Sequence, residues 1–457
     1  MQKERIYGTI FLPESPDNRI AGVWLNISAT SIYIEVPLNT FKNESWQIIL
    51  GEFNGIDEIT FVNCHSGGGS SGAGGTFQRI IISYLIKGLH AFSQSDLSFN
   101  KIVLTSPVLT KWIIEKDGIE AIDNNTYKIP EEKEITKVEI ENINIVIRLG
   151  HSTSYSSDTL QINKVCSISL ESSSLVDISI FSGMMTHLKK LILFITHKNP
   201  EFKEYFLFKD KNSDYQLINT NESLRDDRFT QGIQVRYSNV KNSFAEIIKK
   251  WFELKKLHSV IDLSLEKCYN TEMSMQGFFL SVCMSIEIFQ NNFGKKTSDI
   301  LDREICLNKE KISESIQDEN LAIWFKEKSQ YWNNPTFKDR FMQFKDEVEK
   351  LINGVFNLSA EEFIDKIKEA RNDIVHRGTY KKQFTGSELF LAAKIIEFVL
   401  RLEMMKLIGI DTMEKPNSLF DNAKNNIDVL VRINKKIINQ TNDARTTKHR
   451  IQAKLAR

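Results

Sequence analysis

Cysteine is scarce in this chain and never paired in sequence. Cys64, Cys166, Cys268, Cys283 and Cys306 are odd in number, widely scattered, and include no CxxC. That distribution argues against a disulfide framework or a zinc site and reads as reduced cytosolic thiols. Net charge is missing as well: 59 basic residues against 59 acidic ones give a formal charge of zero. A histone-like protein that coats nucleic acid is thereby excluded, whereas a local basic surface is not. Long apolar runs are also absent. The most apolar stretch, GFFLSVCMSIEIF at 277–289, falls short of the ~20 residues a membrane span requires and contains Glu287. The opening MQKERIYGTIFLPESP carries charges and prolines where a signal peptide needs an apolar core. Without export signal, span or internal repeat, the expected location is the cytoplasm.

What is present is an ordinary globular composition, 41% hydrophobic and 26% charged over 457 residues, enough for roughly two or three domains at ~150 residues each. From Tyr7 to about Arg148 the pattern is short runs rich in Ile, Val and Thr, bounded by turn residues: YGTIFL, AGVWLNI, SIYIEV, DEITFV, NKIVLTSPVL, VEIENINIVIRL. These read as strands of an antiparallel sheet or sandwich. One helix, MMTHLKKLILFITH at 184–197, follows them. The segment 209–241 is polar, and beyond it the period becomes helical. NSFAEIIKKWFELKKL, TEMSMQGFFLSVCMSIEIFQNNF, FKDRFMQFKDEVEKLINGV, SAEEFIDKIKEARNDIV and SELFLAAKIIEFVLRLEMMKLIG all carry apolar stripes at three- and four-residue steps. The expectation is an α+β multidomain chain: a β-rich, sandwich-like domain over 1–240, an all-α bundle over 241–431, and a basic tail over 432–457.

The chemistry-bearing stretch is KEARNDIVHRGTY, 368–380. Its helix opens with a capping-box signature, Ser359 with Glu362, and Gly378 lies just past its end. Arginine–histidine spacing alone proves little, since chance supplies such pairs in a chain this long. Position says more. The apolar stripe runs Phe363, Ile367, Ala370, Ile374, and Arg371 belongs to it, so its guanidinium needs a partner or an anionic ligand. Glu287 sits on the apolar stripe of its own helix with Leu280 and Cys283. A Glu287–Arg371 pair between neighbouring helices is the economical inference, either structural or part of a site. Residues five apart on a regular helix differ by about 140°. Arg371 and His376 therefore share one phosphate only if the helix ends before His376 or if two chains combine.

EARNDIVHRG resembles the R-N-x-x-x-H motif of the HEPN superfamily, and GFFLSVCMSIEIFQ upstream resembles the acidic helix of the Apea-like HEPN group. GTIFLPESPDNRIAGVWLNI, FNKIVLTSPVLTKWI and MMTHLKKLILFIT are similar to the amino-terminal domain of ApeA-type proteins, known for abortive anti-phage defence. The likeness spans about 5–410. It implies a helical HEPN domain that cleaves RNA, transfer RNA foremost, without metal or other cofactor, by attack of the 2′-hydroxyl on the adjacent phosphorus. Arg371, Asn372 and His376 match the catalytic motif, and Glu287 the acidic position. In that family the motifs of two protomers converge, which implies a homodimer or higher homo-oligomer, with the first domain restraining the nuclease until a phage-derived trigger arrives.

These residue types suit that chemistry. An imidazole exchanges protons near neutral pH, and a guanidinium holds phosphoryl oxygens as charge builds on them. Asn372 would orient the phosphate or His376, and Glu287 would fix the Arg371 fork. Arg377, Lys381 and Lys382 offer cations to flanking phosphates, although each is also an ordinary solvated residue. The alternative class is a non-catalytic HEPN module binding RNA, nucleotide or protein.

Other signals are weaker. HSGGGSSGAGGTFQR at 65–79 lacks the GK[ST] ending of a phosphate loop and reads as a flexible loop between strands. Cys64 beside His65 lacks further ligands at metal spacing, so no metal is expected. The tail holds Arg432, Lys435, Lys436, Arg445, Lys448, Arg450, Lys454 and Arg457 against Asp443 alone. It is either a solvated segment or a phosphate-attracting arm.

Overall fold

The structure is a computed structural model. It describes residues 4–432 except 29–30, 39, 42–43, 73–74, 114–119, 122–126, 129–130, 157–158, 199, 201, 211–213, 220–234, 266–271, 295–298, 330–334, 381, 411–418 and 422. The chain divides into two compact units. One comprises 1–226 and 235–253; the other comprises 227–234 and 254–457.

In the first unit, alternating apolar residues put one face of each strand into a common core. The strands are β1 (Glu4–Leu12), β2 (Ser15–Ile27), β3 (Ile32–Pro37), β4 (Ser45–Phe53), β5 (Ile56–Gly72) and β6 (Gly75–Lys87). They pair antiparallel in the ring β1–β2–β3–β6–β5–β4–β1, so the expected sandwich-like sheet closes into a six-stranded barrel. Ile10, Val23, Leu25, Ile34, Ile49, Phe61 and Ile80 fill it. Each such buried side chain contributes about 1.5–3 kcal/mol before entropy is set against it. The glycine-rich stretch is part of this ladder. Gly69 pairs with Gln78 and Ser71 with Thr76, so the flexible loop expected there is instead the arm of a hairpin, held in register by the apolar strand opposite.

The sheet continues from β6 through further antiparallel strands. They are β7 (Ser98–Thr105), β10 (Lys133–Ile140), β11 (Ile143–Ser156), β12 (Thr159–Asp177), β13 (Lys203–Phe208) and β14 (Asp214–Asn219), in the order β6–β14–β13–β7–β12–β11–β10. The short strands β8 (Glu120–Ala121) and β9 (Tyr127–Lys128) pair separately. VEIENINIVIRL is a hairpin and not one strand, because Glu141 (φ 49°) and Asn142 (φ 67°) make a two-residue turn of left-handed backbone. The Ile178–Thr196 helix starts six residues before the expected one, where the Asp177 carboxylate accepts from the Ser179 N–H at 2.8 Å. Among the described residues it is the one helix long and apolar enough to cross a membrane, but 56% of its most apolar window is buried in the protein, as befits a core helix.

The Phe244–Glu253 helix belongs to this unit, thirteen residues beyond the expected limit at 240. Trp251 is fully buried, donates from Nε1 to the His187 carbonyl at 3.0 Å, and packs against Phe194. Its helical period identified the element but not the unit it joins.

The second unit is helical: Leu257–Ser264, Met275–Phe293, Asp299–Ser315, Glu319–Ser329, Phe337–Met342, Lys345–Ile352, Ala360–Arg377 and Gly386–Leu407. The stretch 337–355, read as one helix, breaks at Gln343–Phe344. Asp299–Ser315 and Glu319–Ser329 were not anticipated. They are polar nearly all round, and Leu307, Leu321, Ile323 and Trp324 are exposed, so no clean stripe announced them. The core is built of Phe278, Phe279, Val282, Cys283 and Ile286 with Phe363, Ile367, Ala370 and residues of Gly386–Leu407.

Candidate active site

The Ala360–Arg377 helix is defined at both ends by its own sequence. Ser359 Oγ accepts from Glu362 N–H at 3.3 Å, and Glu362 Oε2 accepts from Ser359 N–H at 2.8 Å. Those bonds from Ser359, backbone first, hold the Glu362 carboxyl below its ordinary pKa. At the far end Gly378 takes φ 67° and donates its N–H back to Ile374, a left-handed cap that glycine enters without strain. The helix therefore runs unbroken through His376.

Arg371 and Glu287 meet, as their two stripes imply. Arg371 Nη2 donates to Glu287 Oε1 at 3.0 Å and Oε2 at 3.2 Å. The guanidinium lies over Phe337 with its carbon 5.4 Å from the ring centroid. Both side chains are just over a quarter exposed, so solvent screens the pair, which is worth on the order of 1 kcal/mol. Among the described residues only Nη2 is engaged. Arg371 Nη1 and Nε make no hydrogen bond among the described residues and remain available as donors. One turn before Glu287 on the same helix, Cys283 is fully buried, and burial pushes its thiol far above the ordinary range. It is an inert core residue.

His376 and Asn372 are exposed. Four residues apart, they differ by about 40° and share a face, whereas Arg371 points about 140° from His376. Neither the His376 nor the Asn372 side chain makes a hydrogen bond among the described residues. The helix thus presents a free imidazole beside an amide on one side, and an anchored arginine on another. Arg377 is exposed, but its Nη1 is engaged by Asp373 Oδ1 at 3.1 Å, so it is a tethered cation. Lys382 is exposed and Lys381 lies outside the described residues, as does the tail from 433 onward.

Two groups at this site escaped the sequence reading. Gln276 Nε2 donates to the Gly378 carbonyl at 3.4 Å, and Arg340 Nη1 donates to the Glu287 carbonyl at 3.4 Å. Phe337 and Arg340, three apart, were legible as one helical stripe. Which neighbour that stripe met was not.

Residues 5–251 match the family model of the ApeA N-terminal domain 1, over more than half the chain, and residues 280–414 match that of the Apea-like HEPN domain. The chain belongs to the ApeA-type family. It is a defence-related HEPN protein, with Glu287, Arg340, Arg371, Asn372, His376 and Lys382 all inside the HEPN match. The amino-terminal match ends two residues before the Phe244–Glu253 helix does, close to the limit of the first unit. No curated protein and no solved structure matches the chain.

Proposed function

We propose that the helical unit is a metal-independent endoribonuclease that acts as a homodimer or higher homo-oligomer on RNA, transfer RNA foremost. The observation that carries this reading is the unbroken Ala360–Arg377 helix. Arg371 and His376 diverge on it, so one scissile linkage is served by the arginine of one protomer and the histidine of another. His376 removes the proton of a 2′-hydroxyl; its oxygen bonds to the adjacent phosphorus; the bond from phosphorus to the 5′-oxygen breaks. That oxygen takes up a proton from water, and His376 returns its own proton to solvent. The products are a 2′,3′-cyclic phosphate and a 5′-hydroxyl. Arg371, held by Glu287, neutralises the phosphoryl oxygens through Nη1 and Nε as they gain charge. Asn372 orients His376 or the phosphate, and Lys381 and Lys382 hold neighbouring phosphates, with Arg377 joining them when it leaves Asp373.

The protein acts in the cytoplasm, where the β-rich unit restrains the nuclease until a phage-derived trigger appears, and cleavage then aborts the infection. A rival reading makes the unit a non-catalytic module, favoured by the same Arg371–Glu287 bond if its work is only to tie helices together. Incubating wild type and His376→Ala with total RNA separates the two. Cyclic-phosphate ends that form in EDTA and vanish in the variant support the nuclease. Intact RNA with both proteins, infected-cell extract included, supports the module.

A further inference from the structure

Arginine remains protonated in proteins, so the charges around Glu287 can be counted directly. Arg371 spans its carboxylate through Nη2, and Arg340 reaches its main-chain carbonyl through Nη1. Phe337, one turn before Arg340 on the Phe337–Met342 helix, lies beneath the Arg371 guanidinium. Two guanidinium groups therefore gather on one residue, one at its carboxylate and one at its main-chain carbonyl. Asp339 accepts from Thr336 at the start of its own helix, and Asp365 pairs with Lys338 at 2.8 Å. Arg340 Nε is buried without a hydrogen-bond partner, and the one side-chain bond Arg340 makes among the described residues, to a neutral carbonyl, is long. The side chain as a whole is half-buried, and a buried N–H left without an acceptor is poorly compensated. A surplus charge with unused donors, beside a half-exposed arginine that also has unused donors, is the arrangement a phosphate group completes.

We propose that Arg340 is a second phosphate-binding residue of this site, gripping with Arg371 the backbone of the bound RNA. The inference rests on the nuclease reading for its ligand, and the two can fail separately.

The test uses full-length protein carrying His376→Ala, which keeps RNA whole, with a short single-stranded RNA and a mixed transfer-RNA pool as probes. Binding is measured across a salt series with and without Arg340→Gln. Losing one phosphate contact lowers the slope of log affinity against log salt by roughly 0.7 on single strands, and affinity at low salt falls about tenfold. With His376 intact, Arg340→Gln raises KM more than it lowers kcat, and Arg340→Lys recovers part of the loss. An unchanged slope in a folded Arg340→Gln protein overturns the assignment. Should Arg340→Gln fail to fold, Arg340→Lys decides: KM raised several-fold at an unchanged Tm supports it, and unchanged KM overturns it. Cleavage that persists in His376→Ala defeats the nuclease reading whatever the slopes show, and a wild type that binds neither RNA defeats both.

Discussion

Gln276 and Gly378 join the start of the helix that carries Glu287 to the end of the helix that carries His376, through a 3.4 Å hydrogen bond to the glycine's carbonyl. The two helices thus run antiparallel at the site, and the left-handed turn at Gly378 sets where the histidine's last turn stops. A Cβ at Gly378 would meet nothing within 4 Å, so the cost of substitution is backbone strain alone. Gly378→Ala is expected to lose about 1–2 kcal/mol in urea unfolding, and Gly378→Asn less. Equal losses for the two would count against the strain account.

The divergence of Arg371 and His376 makes a sharper prediction. Neither Arg371→Ala nor His376→Ala protein cleaves RNA alone, but a mixture that exchanges subunits regains cleavage, because one cleft then holds an intact arginine and an intact histidine. No recovery, with exchange shown by differently tagged subunits, would place both groups on one chain. His376 is exposed and unpartnered, so its removal is expected to shift stability by no more than about 0.5 kcal/mol.

Glu287→Gln keeps the shape of the carboxylate and removes its charge, leaving Arg371 poorly held. Stability falls by about 1 kcal/mol, and a double-mutant cycle with Arg371→Gln returns a coupling of the same order. Cleavage falls further than stability, since the unanchored fork no longer meets the phosphate in position. A coupling near zero would mean the pair adds nothing to the fold.

Acid weakens the start of the same helix. Bonds from Ser359 lower the Glu362 pKa in the folded state. The carboxylate therefore contributes fully above its ordinary range and loses that contribution as pH falls through the depressed value. Urea unfolding of wild type and Glu362→Gln is expected to differ at pH 7, with the gap narrowing as pH falls below the ordinary carboxylate range. A gap that stays constant with pH assigns the cap to hydrogen-bond geometry alone.

Trp251 tests the limit of the first unit. It is fully buried against that unit, so Trp251→Ala is expected to cost about 3–5 kcal/mol. A fragment of residues 1–253 should unfold cooperatively, whereas 1–240 should not. A stable 1–240 fragment would return the Phe244–Glu253 helix to the second unit.

Much of the site was determined by sequence alone, because the forces that place it are local. Ser359, Glu362 and Gly378 mark the ends of the motif helix through bonds within a few residues. The apolar stripes turn Arg371 and Glu287 inward, where opposite charges find each other. The change from strand runs to helical stripes likewise divides the chain into two kinds of architecture. Tertiary structure decided the rest. Barrel closure depends on β1 pairing with β4 and β6 with β3, partners distant in sequence that no short window reveals. The Phe244–Glu253 helix joins the β-rich unit because Trp251 finds Phe194 and the His187 carbonyl. Arg340 reaches Glu287 because the Phe337–Met342 helix lays Phe337 under Arg371. Periodicity says which face of an element is apolar; only packing says which face of which neighbour it meets.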